Sequence, residues 1–410
     1  MFKKVLLFTA IAGLVGCGSD DNDNDVVATE SLYVTQLVAA DYSSSQLATG
    51  KVSGDRTATQ NIQSVDKSDY RIDTYENILY HIGRFGIDEI SRFDAETSLA
   101  NAEYTYSVND NEPDAGSSNP HHIIQNADDN AYVIRYGNTS ILQVNPQADS
   151  ADSYVKARID LSDYTVEGAA FPRMQDAVIY DNKLFVGLQR LDASFQPKQA
   201  YVAVIDLSNN EEIDTNPQTD GLKGIPVNAP NISNLEIYND TIYVAGRGNY
   251  GSSRDPQRVI SSGGLVSINA SSYQTTNLVD ADTFSSFNVI TDDNNTSNDT
   301  YFHVTDVTVS QAGVPYVAIS IEQGFTTLET KIIKMNNSVN TTITDAAVTG
   351  KEISDITFGP EGYLWTAIAD SSEPQIVVID SASDSQHGDS IELDMPPTQI
   401  EFLIVEKVEE

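Results

Sequence analysis

The chain has 410 residues, with 23 Lys and Arg against 60 Asp and Glu, for a formal net charge of -37. That balance excludes nucleic acid as a partner, because phosphate binding needs a basic surface. With 40% hydrophobic residues a core of ordinary density can form, which excludes wholesale disorder.

Residues 1–16 begin with Lys3 and Lys4 and continue as the apolar run VLLFTAIAGLVG, which is too short to span a bilayer and ends in small residues. This is the pattern of a signal peptide. Leu14-Val15-Gly16-Cys17 resembles the lipobox of bacterial lipoproteins. The resemblance implies that Cys17 is diacylated on sulfur with chains of the palmitate kind, freed by cleavage before it, and then acylated on nitrogen. Cys17 is the one cysteine, so no internal disulfide can form. Several acyl chains anchor stably, since each buried methylene adds roughly 0.8 kcal/mol. Gly18 in place of Asp implies, by resemblance to lipoprotein sorting, the outer membrane, with the leaflet face left open. Residues 17–29 then form a lipidated acidic tether, with SDDNDND directly after the lipid. That run lacks the turn glycine and closing Glu of a calcium loop. Without Lys3 and Lys4 the mature chain keeps 21 basic residues and a net charge of -39.

From there a short strand centred on an aromatic recurs: Tyr33, Tyr80, Tyr132, Phe185, Tyr243, Tyr316 and Trp365, at separations of 47, 52, 53, 58, 73 and 49 residues. A period near 50 built from β-type segments predicts propeller blades of four strands each. Nine or ten residues before most of these lies an alternating strand, beginning at Arg71, His122, Asp176, Asn234, Asp306 and Asp355. After most of them a second alternating strand closes on Asp or Asn, as in VAVIDLSN and IVVIDSAS. The Tyr33 strand lacks a preceding partner, and Gln399-Ile400-Glu401-Phe402-Leu403 at the far end matches the missing pattern. The expectation is an all-β, seven-bladed propeller over residues 30–405, closed by the C-terminal strand, with residues 406–410 as a tail.

These aromatic strands followed by V-x-V-I-D resemble the YVTN or lactonase-like β-propeller superfamily. The runs GRFGIDEISRFDAET, SNPHHIIQNADDNAYVIRYG and KLFVGLQRLD are similar to seven-bladed lipoproteins of Gram-negative bacteria. The resemblance implies a fold and a surface location, and no reaction. A fold-level analogy also exists to propeller lipoproteins that capture a cobalamin or siderophore for an outer-membrane receptor.

In that architecture the innermost strand lines a central channel and starts on the face that carries the loops between second and third strands. Arg71, His122, Asp176, Asn234, Asp306, Asp355 and Gln399 are then expected to converge at one mouth, unless they bond neighbouring backbone instead. The same loops carry Arg84, Arg135, Arg190 and Arg247, four of the scarce cations at equivalent positions of consecutive blades. Arginine suits carboxylate or phosphate groups, and Phe85, Tyr136 and Tyr250 beside them could stack a flat ligand. The alternative is that each Arg staples blades by pairing with an acid such as Asp88 or Asp192. Arg254 and Arg258, in a loop that lengthens one repeat, would add to the basic mouth.

Catalytic signatures are missing: no H-E-x-x-H, C-x-x-C or G-x-S-x-G occurs. His81 is expected to be packed within its strand. His121 and His122, with Asp176, Asp306 or Asp355, could hold calcium or another divalent cation. The leading expectation is a noncatalytic outer-membrane binding protein that captures a small anionic ligand, or a protein partner, at the channel mouth. A metal-assisted hydrolase or lyase at that mouth and a scaffold subunit of a surface complex are the competing classes.

Overall fold

A computed structural model describes residues 28–110, 116–218, 221–248, 263–280, 300–323, 326–336 and 340–407. Residues 1–27, which hold the expected signal peptide and Cys17, lie outside the described residues, as do Tyr250, Arg254, Arg258, the Asn-rich loop after Asp280 and the last three residues. Seven antiparallel sheets form seven blades. Their innermost strands are Pro397–Glu406, Tyr70–Tyr75, Pro120–Ala127, Met174–Tyr180, Ile232–Tyr238, Thr300–Val309 and Ile353–Phe358, which we assign to blades one to seven. Each packs against the next, and Pro397–Glu406 closes the ring against Tyr70–Tyr75. The protein is a seven-bladed β-propeller.

Closure joins the two ends of the chain. Pro397–Glu406 pairs antiparallel with Thr29–Val38, setting Tyr33 opposite Phe402 and Gln36 opposite Gln399. At this seam the Trp365 ring of blade seven lies 5.2 Å from Tyr33 and edge-on to Phe402 at 5.4 Å. Ala28 and Lys407 meet at the opposite end of the pair, where the Lys407 N–H donates to the Ala28 carbonyl.

The aromatic strands are the second of each blade, and six of their seven central aromatics are fully buried. The reason is two-sided packing, since both faces of a blade meet a neighbouring blade. Ile78–Gly83 is accordingly buried at all six positions. The outermost strands are more exposed, and in three blades they shrink to two residues each, Glu211–Glu212, Thr341–Thr342 and Ser385–Gln386. Short polar edge strands leave little template for edge-to-edge aggregation. Among the described residues no helix is long and apolar enough to cross a membrane.

Candidate functional site

Six of the seven inner strands carry a register shift within their first few residues. The extra residues are Thr398, His121, Gln175, Ser233, Thr305 and Ser354. A β-bulge re-aims the side chain that follows it. The residues that follow are Gln399, His122, Asp176, Asn234, Asp306 and Asp355, and with Arg71 of the unbulged blade two they line the central channel together. The structure therefore brings the expected ring of polar side chains to one place.

Most of that ring is held by bonds between blades. Asp73 accepts from the Ile123 N–H at 2.6 Å, Asp176 from Leu235 at 2.8 Å, Asp306 from Ile356 at 3.0 Å, and Asp355 from Ile400 at 2.9 Å. Gln399 accepts from the Ile72 N–H and donates to the Ile72 carbonyl at 2.7 Å. His122 Nδ1 lies 3.0 Å from Asp73 and 3.8 Å from Asp176. One carboxylate oxygen of each Asp is thus committed to backbone of the next blade. The alternative of bonds to nearby backbone also holds in part, since Asp176 accepts from the Ala177 N–H and Asp306 from the Val307 N–H, so these groups bond locally with one oxygen and stitch neighbouring blades with the other.

Two residues further along, the strand alternation points a second layer into the channel, which includes Asp73, Glu236 and Glu401. These three were missed, although the period of two that located the first layer also marks them. Crowding of acids with little water sets their protonation. Burial, reinforced by Asp176, pushes Glu236 up to about 8. Burial, reinforced by Asp73, does the same for Glu401. Burial raises Asp355 to about 6, and burial with the adjacent Asp355 carboxylate raises Asp306 well above the usual range. Burial acts to lower His122, but Asp73 and Asp176 outweigh it and the imidazole is pushed up to about 9.

Among the described residues no three His, Cys, Asp or Glu side chains are arranged to hold a metal ion. Asp176, Asp306 and Asp355 are each turned toward a backbone N–H of the next blade instead.

The channel opens on the bulge side into a mouth of about 640 Å³. Arg71, Arg84 and Arg247 line it, with Asn234, Asp306, Asp355, Glu322, Glu352, Ser320, Ser354 and Thr398. Arg84 is paired with Asp69, its Nε 2.7 Å from Oδ1. Arg247 is paired with Glu322, itself 3.4 Å from His303. Arg71 makes no direct salt bridge among the described residues; its charge reaches Asp355, whose carboxyl it holds down against burial, and it makes a long contact of 3.4 Å to Gln399 Oε1. The buried Asn234 Oδ1 also lacks a hydrogen bond.

Arg135 and Arg190 do not reach this opening, which corrects the expectation that four arginines share it. Arg135 is 0% exposed and donates to the Val108 and Ser140 carbonyls and to Asp110 at 2.9 Å. Arg190 donates to the Tyr164 and Gln199 carbonyls and lies over the Tyr201 ring. Tyr136 cannot stack a ligand, because His121 covers one side at 4.4 Å and Arg173 stands 5.1 Å from the ring. Phe85 is 70% exposed at its loop tip, outside the mouth lining. Asp88 pairs with no Arg and accepts from the Asn119 N–H, while Asp192 pairs with Lys198. His81 stacks on Tyr70 and bonds Gln36 Oε1 at 3.0 Å, packed as expected, and burial lowers it to about 3.

Fold and site define a propeller with an acidic channel under an arginine-bearing mouth. No family model and no curated protein matches the sequence. Solved structures do match the fold. A candidate 6-phosphogluconolactonase of Bacteroides fragilis aligns over 94% of this chain and 100% of its own at 14% identity and TM-score 0.57. The periplasmic gluconolactonase of Pseudomonas aeruginosa aligns over 92% and 99% at 11% identity and TM-score 0.58. A protein from Lactobacillus plantarum aligns over 92% and 100% at 11% identity and TM-score 0.58. The chain thus has the fold of lactonase-like propellers.

Proposed function

We propose that the mouth binds a small polyhydroxylated acid without transforming it, in a protein held at the outer membrane by lipid on Cys17. The observation that carries this reading is Arg71: a half-buried guanidinium at the junction of channel and mouth that makes no direct ion pair among the described residues and feels Asp355 only at longer range. A guanidinium short of direct hydrogen-bond partners gains from a ligand carboxylate, which accepts two parallel hydrogen bonds from it. Hydroxyl groups suit the remaining wall, where Ser320, Ser354, Thr398 and the unpaired Asn234 Oδ1 offer donors and acceptors. The described chain starts and ends at the far end of the closing strand pair, so an anchor at Cys17 leaves the mouth open on the other face. The acidic body argues against anionic lipid or polymer as the ligand.

Calorimetric titration with D-glucuronate tests this. Binding to the wild type, none of D-glucose at equal concentration, and at least a tenfold loss in Arg71→Gln are expected. Equal affinity of wild type and Arg71→Gln would reject the reading. Labelling with palmitate, abolished in Cys17→Ala, tests the anchor.

A second reading, hydrolysis of a lactone at the same mouth, is favoured by one feature. Asp355 stands between channel and mouth with its carboxyl raised to about 6, a range suited to a general base near neutral pH. The lactonase names among the structural neighbours point the same way. Opening of D-glucono-lactone faster than its spontaneous rate, lost in Asp355→Asn, would replace capture by catalysis.

A further inference from the structure

Four large apolar side chains stand out on the described surface: Tyr42, Phe85, Phe195 and Leu328, exposed by 75, 70, 51 and 48%. Tyr42, Phe85 and Phe195 lie between the second and third strands of their blades and Leu328 near the start of its third strand, on the side of the mouth. Two of them face one groove. Tyr42 of blade one and Leu328 of blade six wall a cavity of about 570 Å³ that crosses the top of blade seven, floored by Val38, Ala369 and Pro396. Tyr42 holds a left-handed backbone at φ 58, an unusual conformation for a bulky residue.

This groove runs into the mouth. Tyr42, Thr327, Glu352, Ser354 and Thr398 line both spaces. The combined cleft has a cation at one end, Arg71, and at the other a trough in which Tyr42, Leu328 and Pro396 stand among the acids Glu352 and Asp370. We infer that the ligand is an acid with an apolar arm: its carboxylate at Arg71, its hydroxyls along the mouth wall, and an aromatic or acyl arm between Tyr42 and Leu328. This rests on the proposed binding of a polyhydroxylated acid at the mouth and adds the part of the ligand that the mouth alone does not explain. A short polar ligand would leave the trough unfilled, and exposed apolar side chains rimmed by polar groups mark contact surfaces.

Matched probes separate the arm from the head. D-glucuronate supplies the head alone and phenyl β-D-glucuronide supplies the head with an aromatic arm. Calorimetry should show the phenyl glycoside binding about tenfold more tightly than D-glucuronate, the gain expected for covering one ring. Leu328→Ser, which touches only the trough, should abolish that tenfold advantage and leave D-glucuronate affinity unchanged. Arg71→Gln should weaken both probes by the same factor. Equal affinities for the two probes, or an advantage that survives in both Leu328→Ser and Tyr42→Ser, would overturn the arm while the head site stands. Failure of D-glucuronate and the glycoside alike to bind the wild type would remove the mouth reading and the arm with it.

Discussion

Arg135 and Arg71 show how far the surroundings of a guanidinium decide its work. Arg135 is fully buried, with its donors directed at two carbonyls, Asp110 and Asn138. Its replacement leaves the buried Val108 and Ser140 carbonyls short of donors, while Asp110 keeps Arg158 and Asn138. Arg135→Met should therefore lose about 1–3 kcal/mol of stability, the range for leaving buried acceptors unsatisfied, measured by denaturant unfolding. Arg71 sits where channel meets mouth and bonds weakly, so Arg71→Gln should stay within about 1 kcal/mol of wild type in the same measurement while losing ligand affinity. Opposite behaviour of the two variants would reverse their roles. Arg71 lies on the inner strand of its blade and Arg135 at the end of the second strand of the next, and both were expected at the mouth. The direction of each side chain follows from packing between blades, which has no local signature. The arginine of blade three is drawn inward by Asp110, in the linker from blade two to blade three, a pairing that spacing along the chain does not reveal.

At the scale of elements, the aromatic second strands and alternating inner strands were legible because two-sided burial demands apolar runs at a period near 50. The closing strand was legible for the same reason. The bulges were not, since an extra Ser, Thr, Gln or His before the ring position alters no hydrophobic pattern. The outermost strands were also hidden, being short and polar. Closure carries a prediction of its own. Pro397–Glu406 is the inner strand of blade one and contributes Ile400 and Leu403 to the core. A chain ending at Met395 should fail to give a cooperative melt and should bind an apolar dye, because blade one is left open at Thr29–Val38. A sharp melt near the full-length temperature would show that the pairing contributes little.

The molecule as a whole places acids around an axis where water is scarce. Glu236 and Glu401, raised to about 8, keep protons that the unfolded chain gives up above its ordinary value of 4.5. Folding then becomes less favourable as pH climbs through that interval. His122 acts in the same direction: raised to about 9, it contributes stability below 6.5 that is lost as pH rises through 9. Below 6.5 the buried His81, lowered to about 3, works the other way and favours higher pH. The melting temperature should accordingly decline between pH 6.5 and 9, where His81 no longer opposes the channel acids and His122, with a shallower decline in Glu401→Gln. A rise over that range would mean the channel acids are ionised in the fold. Surface charge does not explain such a slope, because most exposed carboxylates are ionised throughout it.

The account turns on one cation receiving a carboxylate at the head of the channel. The most direct test is a crystal structure grown with D-glucuronate. We predict its carboxylate within about 3 Å of the Arg71 guanidinium, its hydroxyls along Ser354 and Thr398. Density for the sugar elsewhere on the propeller, with Arg71 still facing an empty mouth, would contradict it.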